Sequence, residues 1–541
     1  MLKRAINLVY TYLSRNCTVK NLKSICNALK TLQDCEKFDF ELITDNREES
    51  YDKIQELLSK INEKELIRKK KGVYYTPSDL VEFIVKSSFK SMFGKLKENN
   101  INELEVSSLP YKTMCTQKKV LDPTCGAGEF LLATLEMKYK IWSTHTVVTE
   151  KKAIEILSTV YGNDVNKESV IITQLRLLLC VLKWCPTVSL ESVTDILLRN
   201  FTAFDFVSQD GVVTGKYHVI IGNPPYVEDS KCGLKLQTRY GNIYANVLIH
   251  SSNLLEKNGA MGFVIPLSYI STPRMNRLRS DLFITLPEQF VLNYADRPDC
   301  LFDSVHQKLC VLIAKNRKAS KKVFTSKYQY WYKDERNQLF SNIQVIKNNI
   351  SMDKIIPKLG NRIDLEIFSK IINCNRNVSV YEVSREGTEV VCLNRRETFW
   401  MKAYRTTVDD PEYKVFKFHS ESEADYCYCL INSSLFWWYW IAVSDCWHVS
   451  KDLNGFMAPF LFDHKRASEL ARSLQEKLEE TKVYGTKQTE YEYKHKKCLN
   501  VISEIDEFVN ELFELTKEES AYIKEYALKY RTGGGVNDGC Y

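Results

Sequence analysis

The chain is 541 residues long, more than one ordinary core accommodates, so two or three domains are expected. Its composition, 44% hydrophobic and 26% charged, is that of a soluble globular protein, and a formal net charge of +7 favours an anionic partner only weakly. The 17 cysteines are odd in number and irregularly spaced, and Cys427-x-Cys429 has no second pair at zinc-ligand spacing. Reduced thiols are therefore expected, with no disulfide framework and no metal site.

No apolar run is long enough to span a bilayer. Leu2, Ile6, Val9 and Leu13 recur at helical spacing, and no small-residue cleavage site follows them. The N-terminus thus reads as a helix and not as a signal peptide, and a cytoplasmic protein is expected.

Residues 1–70 read as helices, closed by the basic run Arg68 to Lys71. Gly72-Val73-Tyr74-Tyr75-Thr76-Pro77-Ser78 is a turn into a helix from Asp79. Lys119 to Asp122 is a short buried strand, and Pro123-Thr124-Cys125-Gly126-Ala127-Gly128 turns from it into a helix over Glu129–Lys138. Further strands are predicted over Thr159–Asp164, Asn200–Phe204, Tyr217–Ile221, Ala260–Pro266 and Leu309–Ala314. A helix over Asn242–Leu255 is read as closed by Gly259 at its C-cap. Alternating strand and helix implies an α/β fold with a mostly parallel, doubly wound sheet. Beyond about residue 325 the alternation fades into a segment rich in Tyr, Trp, Lys and Asn. Helices follow over Lys465–Lys482, Tyr491–Leu515 and after Thr516, with Glu519 as capping-box partner and Gly533 to Gly535 as a frayed tail.

Ligands of open parallel sheets sit at the C-terminal ends of strands. Four candidate groups fall at such ends: Asp122 with Gly126 and Gly128, Asp164, Asp205, and Asn223-Pro224-Pro225-Tyr226. The two glycines let the backbone approach a ligand beside a helix N-terminus. Asp164 suits the two hydroxyls of a ribose, because a carboxylate accepts two hydrogen bonds. Asp205 suits an adenine amine, with Phe206 beside the ring. Asn223 presents a side-chain carbonyl, and Pro224 a backbone carbonyl with no competing N–H. Two acceptors aimed at one planar amine leave its nitrogen lone pair free to attack an electrophile. Tyr226 can stack on the heterocycle that carries the amine.

Asp122-Pro123-x-Cys125-Gly126-x-Gly128-x-Phe130, followed by Asn223-Pro224-Pro225-Tyr226, resembles the adenine-N6 DNA methyltransferases of restriction–modification systems. The order of Gly72-x-Tyr74-Tyr75-Thr76-Pro77, the glycine turn, the tetrapeptide and a long C-terminal region is that of their gamma group. The resemblance covers about residues 66–315 well and the last third loosely. It implies a Rossmann-like methyltransferase domain over 66–325. An N-terminal helical segment would precede it at 1–65, and a mixed α/β to helical DNA-recognition region would follow at 326–541. It implies S-adenosyl-L-methionine as cofactor, held by Tyr75, Thr76, Asp122, Thr124, Gly126, Gly128, Asp164, Val165, Asp205 and Phe206. Asn223, Pro224, Pro225 and Tyr226 would grip the target adenine, with Phe302 packing on its other face. Two departures stand out: His218 where the family usually has Asp before the fourth strand, and Asn166 where a second acid often follows the ribose-binding one.

The resemblance also implies double-stranded DNA as partner and flipping of the target base out of the stack. Val227–Gly241, with Lys231, Lys235 and Arg239, is expected to fold over the displaced base. Groove contacts are expected from the loop after Val443, with Trp447, His448, Lys451 and Asn454, and from Arg395, Arg396 and Arg405. A monomer in the cytoplasm, near the nucleoid, is expected, with any cognate restriction endonuclease acting separately. A fused nuclease is the rival reading. The segment before residue 66 is short for one, and Asp45 with Glu48-Glu49 forms no Pro-Asp…Glu-x-Lys arrangement. The residues also leave open the methylation of a different planar amine, in RNA or protein, and a non-catalytic DNA-binding role.

Overall fold

The computed structural model describes residues 2–16, 22–33, 38–43, 50–61, 75–98, 101, 105–208, 213–302, 306–350, 354–374, 377–379, 387–407, 411–449, 456–459, 462–484 and 491–533. Three helices lead: α1 (Leu2–Asn16), α2 (Leu22–Gln33) and α3 (Tyr51–Lys60). Helix α1 buries Ile6, Val9 and Leu13 on one face, as their spacing predicts. Helix α3 is capped by Ser50, whose hydroxyl accepts from the Lys53 amide. Helix α4 (Ser78–Met92) follows the turn at Tyr75-Thr76-Pro77. The basic run Arg68 to Lys71 and residues Gly72 to Tyr74 lie outside the described residues.

A nine-stranded sheet forms the core, in the order β3-β2-β1-β4-β5-β7-β6-β8-β9. Its strands are β1 (Val120–Asp122), β2 (Val160–Asp164), β3 (Phe201–Ala203), β4 (Tyr217–Gly222), β5 (Leu255–Pro266), β6 (Glu288–Tyr294), β7 (Leu309–Lys315), β8 (Lys322–Gln329) and β9 (Ile346–Lys347). Strands β1 to β5 pair in parallel, whereas β7 runs antiparallel to both β5 and β6. Helices α5 (Glu129–Ser143) and α6 (Lys167–Trp184) cross between the early strands. Helix α5 packs against both α4 and α6, and α1, α2 and α3 all rest on α6. Helix α7 (Ile243–Leu254) lies against β5. This is the doubly wound, mostly parallel sheet that the alternation implies.

Four local readings change. Helix α7 ends at Leu254 with Leu255 as its cap, and Gly259 lies inside β5. A side chain there would meet the Glu256 and His218 carbonyl oxygens at 2.9 and 3.0 Å, so Gly259 serves a close strand approach instead of a C-cap. Strand β6, unforeseen from sequence, is buried between β7 and β8. Strands β8 and β9 carry the sheet past residue 325. Tyr491–Glu492 pairs with Val483–Tyr484, and the helix begins only at Leu499. Tyrosines at alternate positions 491 and 493 suit a pleated strand better than a helix.

The later segments hold β10 (Asn377–Ser379) and an antiparallel trio, β11 (Glu389–Asn394), β12 (Ala403–Tyr404) and β13 (Tyr413–Phe418). Strand β14 (Met457–Pro459) returns to pair with β10. Among the described residues, six helices follow β13: α8 (Glu421–Asn432), α9 (Ser434–Val443), α10 (His464–Thr481), α11 (Leu499–Leu512), α12 (Lys517–Glu525) and α13 (Leu528–Thr532). Every residue of α9 is buried, including Trp437, Trp438 and Trp440, so its aromatics are core. Thr516 and Glu519 form the expected capping box of α12. Gly534 and Gly535 lie outside the described residues.

Candidate active site

Strands β1 and β4 are neighbours, with Val120 opposite Val219 and Leu121 opposite Ile220. The turn after β1 and the tetrapeptide after β4 therefore share one edge of the sheet. A side chain on Gly222 would set its first carbon 2.8 Å from Asp122 Oδ1. Only glycine lets the acid lie across the end of β4. Gly222 is thus a site residue that the sequence left among the strand's apolar run.

Asp122 is 1% exposed. Its Oδ1 accepts from the Thr124 amide at 3.0 Å. Burial pushes its carboxyl well above the usual range and nearby Asp164 adds to the rise, against the opposing Thr124 bond. Thr124 Oγ1 is buried with no hydrogen-bond partner. Gly126 has φ +53° and open space where a side chain would stand. Its amide donates to Asp164 Oδ2 at 2.9 Å, while Asp164 Oδ1 accepts from the Asn166 amide at 2.8 Å. Gly128 differs from the expectation. At φ +87°, its missing side chain would collide with Thr173 Cγ2 at 2.6 Å. Gly128 is required for packing against α6, and the space beside it is filled by protein.

Asn163, buried beside Asp164, ties three strand ends together. Its amide group donates to the Pro123 and Phe204 carbonyls at 3.0 and 3.1 Å, and its oxygen accepts from Thr202 Oγ1 and the Phe204 amide at 3.0 and 3.3 Å. All four of its bonding positions are used. A polar residue closing an apolar strand is the signal that could have singled it out. Asn166, where the sequence departs from the expected second acid, caps α6 by accepting from the Glu168 amide. Val165 is 72% exposed, whereas Phe206 and Phe302 are 6% and 2% exposed. Both rings turn into the core, Phe206 against His250, so neither offers a face to solvent. Asp205 Oδ1 accepts from the Val207 amide.

Asn223 is held from both sides. Its Nδ2 donates to Thr76 Oγ1 at 3.1 Å, and its Oδ1 accepts from the Tyr226 hydroxyl at 2.6 Å. The same hydroxyl lies 2.8 Å from the Val264 carbonyl of β5. Burial raises the Tyr226 phenol far above its ordinary range, so it stays a donor. The Thr76 turn, 147 positions away in sequence, is thereby joined to the tetrapeptide. At the opposite end of β4, His218 Nδ1 accepts from the Lys119 amide at 3.2 Å. Burial lowers its pKa, and it is a satisfied strand residue remote from Asn223.

The loop Val227–Gly241 is cinched at its base: Asp229 Oδ2 accepts from the Gly241 amide, and the Ile243 amide donates to the Val227 carbonyl. Arg405 is not available to read bases, because it is buried in ion pairs with Glu389 and Asp425. Arg396 pairs with Glu412 on the surface, while Arg395 is exposed. Lys451 and Asn454 lie outside the described residues. A cleft of about 550 Å³ opens beyond β3, lined by Lys30, Lys167, Gln174 and Phe201, and shares no residue with the groups around Asn223.

Residues 158–285 match the Eco57I restriction-modification methylase family model. A protein of Methanocaldococcus jannaschii named as a type II restriction enzyme and methyltransferase is 25% identical over 183 residues, 32% of this chain and 15% of its own. The adenine-specific methyltransferase PglX of Streptomyces coelicolor is 23% identical over 200 residues, 30% of this chain and 15% of its own. The chain thus spans about one seventh of the length of these curated relatives. The fold resembles that of the type IIL restriction–modification enzyme MmeI, solved in complex with DNA, at a TM-score of 0.50 and 13% identity over 89% of this chain and 81% of that one. The sheet order sets the glycine turn and the tetrapeptide on one edge, and the segment 158–285 that holds the tetrapeptide is similar to restriction-modification methylases of the Eco57I family.

Proposed function

We propose that the protein is an S-adenosyl-L-methionine-dependent DNA adenine-N6 methyltransferase of a restriction–modification system. The observation that carries this reading is the contact between Asp122 and the Gly222 position, which sets the glycine turn directly beside Asn223. A donor group held by the turn and an amine held by the tetrapeptide would meet there. The names of the relatives, a restriction enzyme and methyltransferase and an adenine-specific methyltransferase, support the same substrate class.

The cradle suits the cofactor. Thr124 Oγ1 is a buried polar atom without a partner, the space over Gly126 is open, and Val165 is an exposed apolar side chain. Asp122, Thr124, Gly126, Asp164, Val165 and Asp205 would hold the group, with Tyr75 and Thr76 at its amino-acid end. Asp164 would accept from the ribose hydroxyls, since a carboxylate has about four lone-pair sites. When bound, S-adenosyl-L-methionine supplies an electrophilic methyl group on a positively charged sulfur.

Asn223 and Pro224 then act on the amine. Their two carbonyl oxygens accept its two hydrogens, which keeps the lone pair on nitrogen and directed at the methyl carbon. The Tyr226 hydroxyl occupies Asn223 Oδ1 before the amine arrives and has the Val264 carbonyl as its second acceptor. The methylated nitrogen is cationic and loses one proton to solvent, so no general base precedes attack. The target base would be drawn from the duplex at a cost of a few kcal/mol, about the general estimate for unstacking. Trp447, His448, Arg395 and Arg396, in the later segments, are the exposed candidates for DNA contact.

Asn223→Ala tests the reading. With duplex DNA lacking N6-methyladenine and tritiated cofactor, the variant is expected to lose at least about 10²-fold in kcat, the scale of one removed transition-state contact. Its affinity for the cofactor analogue sinefungin should stay near wild type. Wild-type turnover in the variant would refute the amine grip.

A further inference from the structure

Arg336 stands in the part of the chain that the sequence assigns to recognition, yet it reaches the helix that follows Thr76, the partner of Asn223. It lies on a short 3-10 turn, Lys333–Gln338, after β8. Its Nε and Nη2 donate to the two carboxylate oxygens of Asp79 at 2.8 and 3.1 Å. Asp79 is in the first turn of α4, three residues after Thr76, which accepts from Asn223. Its Nη1 donates to the Cys300 carbonyl at 3.0 Å, and Nη2 also donates to the Leu301 carbonyl at 2.9 Å. Those carbonyls immediately precede Phe302.

One guanidinium therefore ties the first turn of α4, next to Thr76, to the backbone just before Phe302. Four of its donor positions are used, in a fork that only arginine presents. The side chain is only 18% exposed, so solvent competes little for these bonds. The turn that carries it is itself anchored. Glu335 accepts from the Tyr332 amide at 2.8 Å and from the Tyr530 hydroxyl at 3.1 Å, and it pairs with Lys529 of α13. Helix α13 is locked in turn by Arg531, whose guanidinium lies 4.1 and 4.3 Å from the Trp400 and Trp437 rings.

We propose that Arg336 is a positioning residue that fixes the first turn of α4 on the Cys300–Leu301 backbone, and through Thr76 the orientation of the Asn223 side chain. This rests on the methyltransferase reading given above. The C-terminal third of the chain then helps build the catalytic edge as well as contacting substrate. A displacement of about 1 Å at a reacting group can cost on the order of 10²-fold in rate.

The test uses the full chain with Arg336→Lys, Arg336→Ala and, as a surface control, Arg362→Ala. Arg362 is 87% exposed and pairs with Glu366 one turn along its helix. Both Arg336 variants are expected to lose at least about tenfold in kcat for DNA methylation, with the thermal midpoint within a few degrees of wild type and Arg362→Ala unchanged. Lysine should not rescue, because it cannot bridge four acceptors, whereas millimolar guanidinium should restore part of the rate to Arg336→Ala. Hydrogen exchange should speed up in Arg336→Ala at residues 76–81 and 299–302 together. Wild-type kcat in both variants, or faster exchange at one segment alone, would overturn the proposal. An inactive wild type would sink the methyltransferase reading instead, and the exchange measurement would still decide whether Arg336 joins the two segments.

Discussion

Asp122 carries opposite demands at a single residue. Its carboxylate is buried near Asp164, and its pKa is raised by that burial. The folded chain therefore holds a proton that the unfolded chain releases as pH climbs past the ordinary carboxylate range. Stability attributable to Asp122 is undiminished below that range and declines as pH rises through it. Asp122→Asn keeps an oxygen for the Thr124 amide and removes the charge. The ligand-free variant is expected to unfold at a higher temperature than wild type, with a larger difference at pH 8 than at pH 5. Its affinity for sinefungin should fall at least about tenfold, the cost of one charge-assisted hydrogen bond. Calorimetry at the two pH values and a binding titration check both halves, and a wild-type melting profile would contradict the first. Asp122 was legible from sequence as a strand-end acid. Its burial was not, because that depends on Gly222 leaving room for it.

Within the turn joining β1 to α5, two glycines that look alike in sequence have different reasons to be glycine. Gly126 faces open space and Gly128 faces Thr173. Gly128→Ala should destabilise the fold by about 1–3 kcal/mol through overpacking, with backbone strain in addition. Thr173→Ala in the same chain should recover part of the loss. Gly126→Ala, at φ +53°, should lose about 1–2 kcal/mol to backbone strain alone, with no clash for Thr173→Ala to relieve, and should bind sinefungin more weakly. Urea titrations and binding measurements on the three variants would show whether the two effects separate in this way. At this scale the strands that end in candidate groups were readable, since each is a short apolar run closed by Asp or Asn. Strand β6 was missed because Glu288, Gln289 and Asn293 interrupt its apolar pattern. Each has a tertiary partner: Glu288 pairs with Arg317, Gln289 accepts from Tyr269, and Asn293 bonds to Ser326 through its backbone and side-chain N–H groups. Gly259 misled because a glycine after a helix suggests a cap, while here a strand begins at once.

Across the whole molecule, the edge that carries Asn223 is approached by residues distant in sequence. Lys308 precedes β7, and its carbonyl accepts from the Leu267 amide at the end of β5, on the edge that holds Asn223. Its ammonium pairs with buried Asp296 at 3.0 Å and lies 3.7 Å from the Trp447 ring, which remains 46% exposed. A large aromatic held on a fixed ion pair is suited to stacking against a base or sugar. Trp447→Ala should weaken duplex DNA binding about 5- to 100-fold, the range for one lost aromatic stack, and Trp447→Phe should retain most of the affinity. Fluorescence anisotropy with labelled duplex, at fixed salt, would discriminate the two variants. Equal affinities for alanine, phenylalanine and wild type would exclude the contact. No described helix is long and apolar enough to cross a membrane, and the described cysteines are free thiols.

The sequence by itself determined the local chemistry. A glycine turn, strand-end acids and the Asn-Pro-Pro-Tyr tetrapeptide follow from short-range patterns of apolar runs and backbone-special residues, and their order along the chain carries the family resemblance. Only the tertiary structure decided which of these groups meet. The adjacency of β1 and β4, the crossing of Asp122 over Gly222, and the reach of Arg336 to Asp79 across 257 positions arise from strand order and packing. Contacts between residues so far apart leave no periodic signature in one chain, because each partner alone is an ordinary strand end, glycine or surface charge.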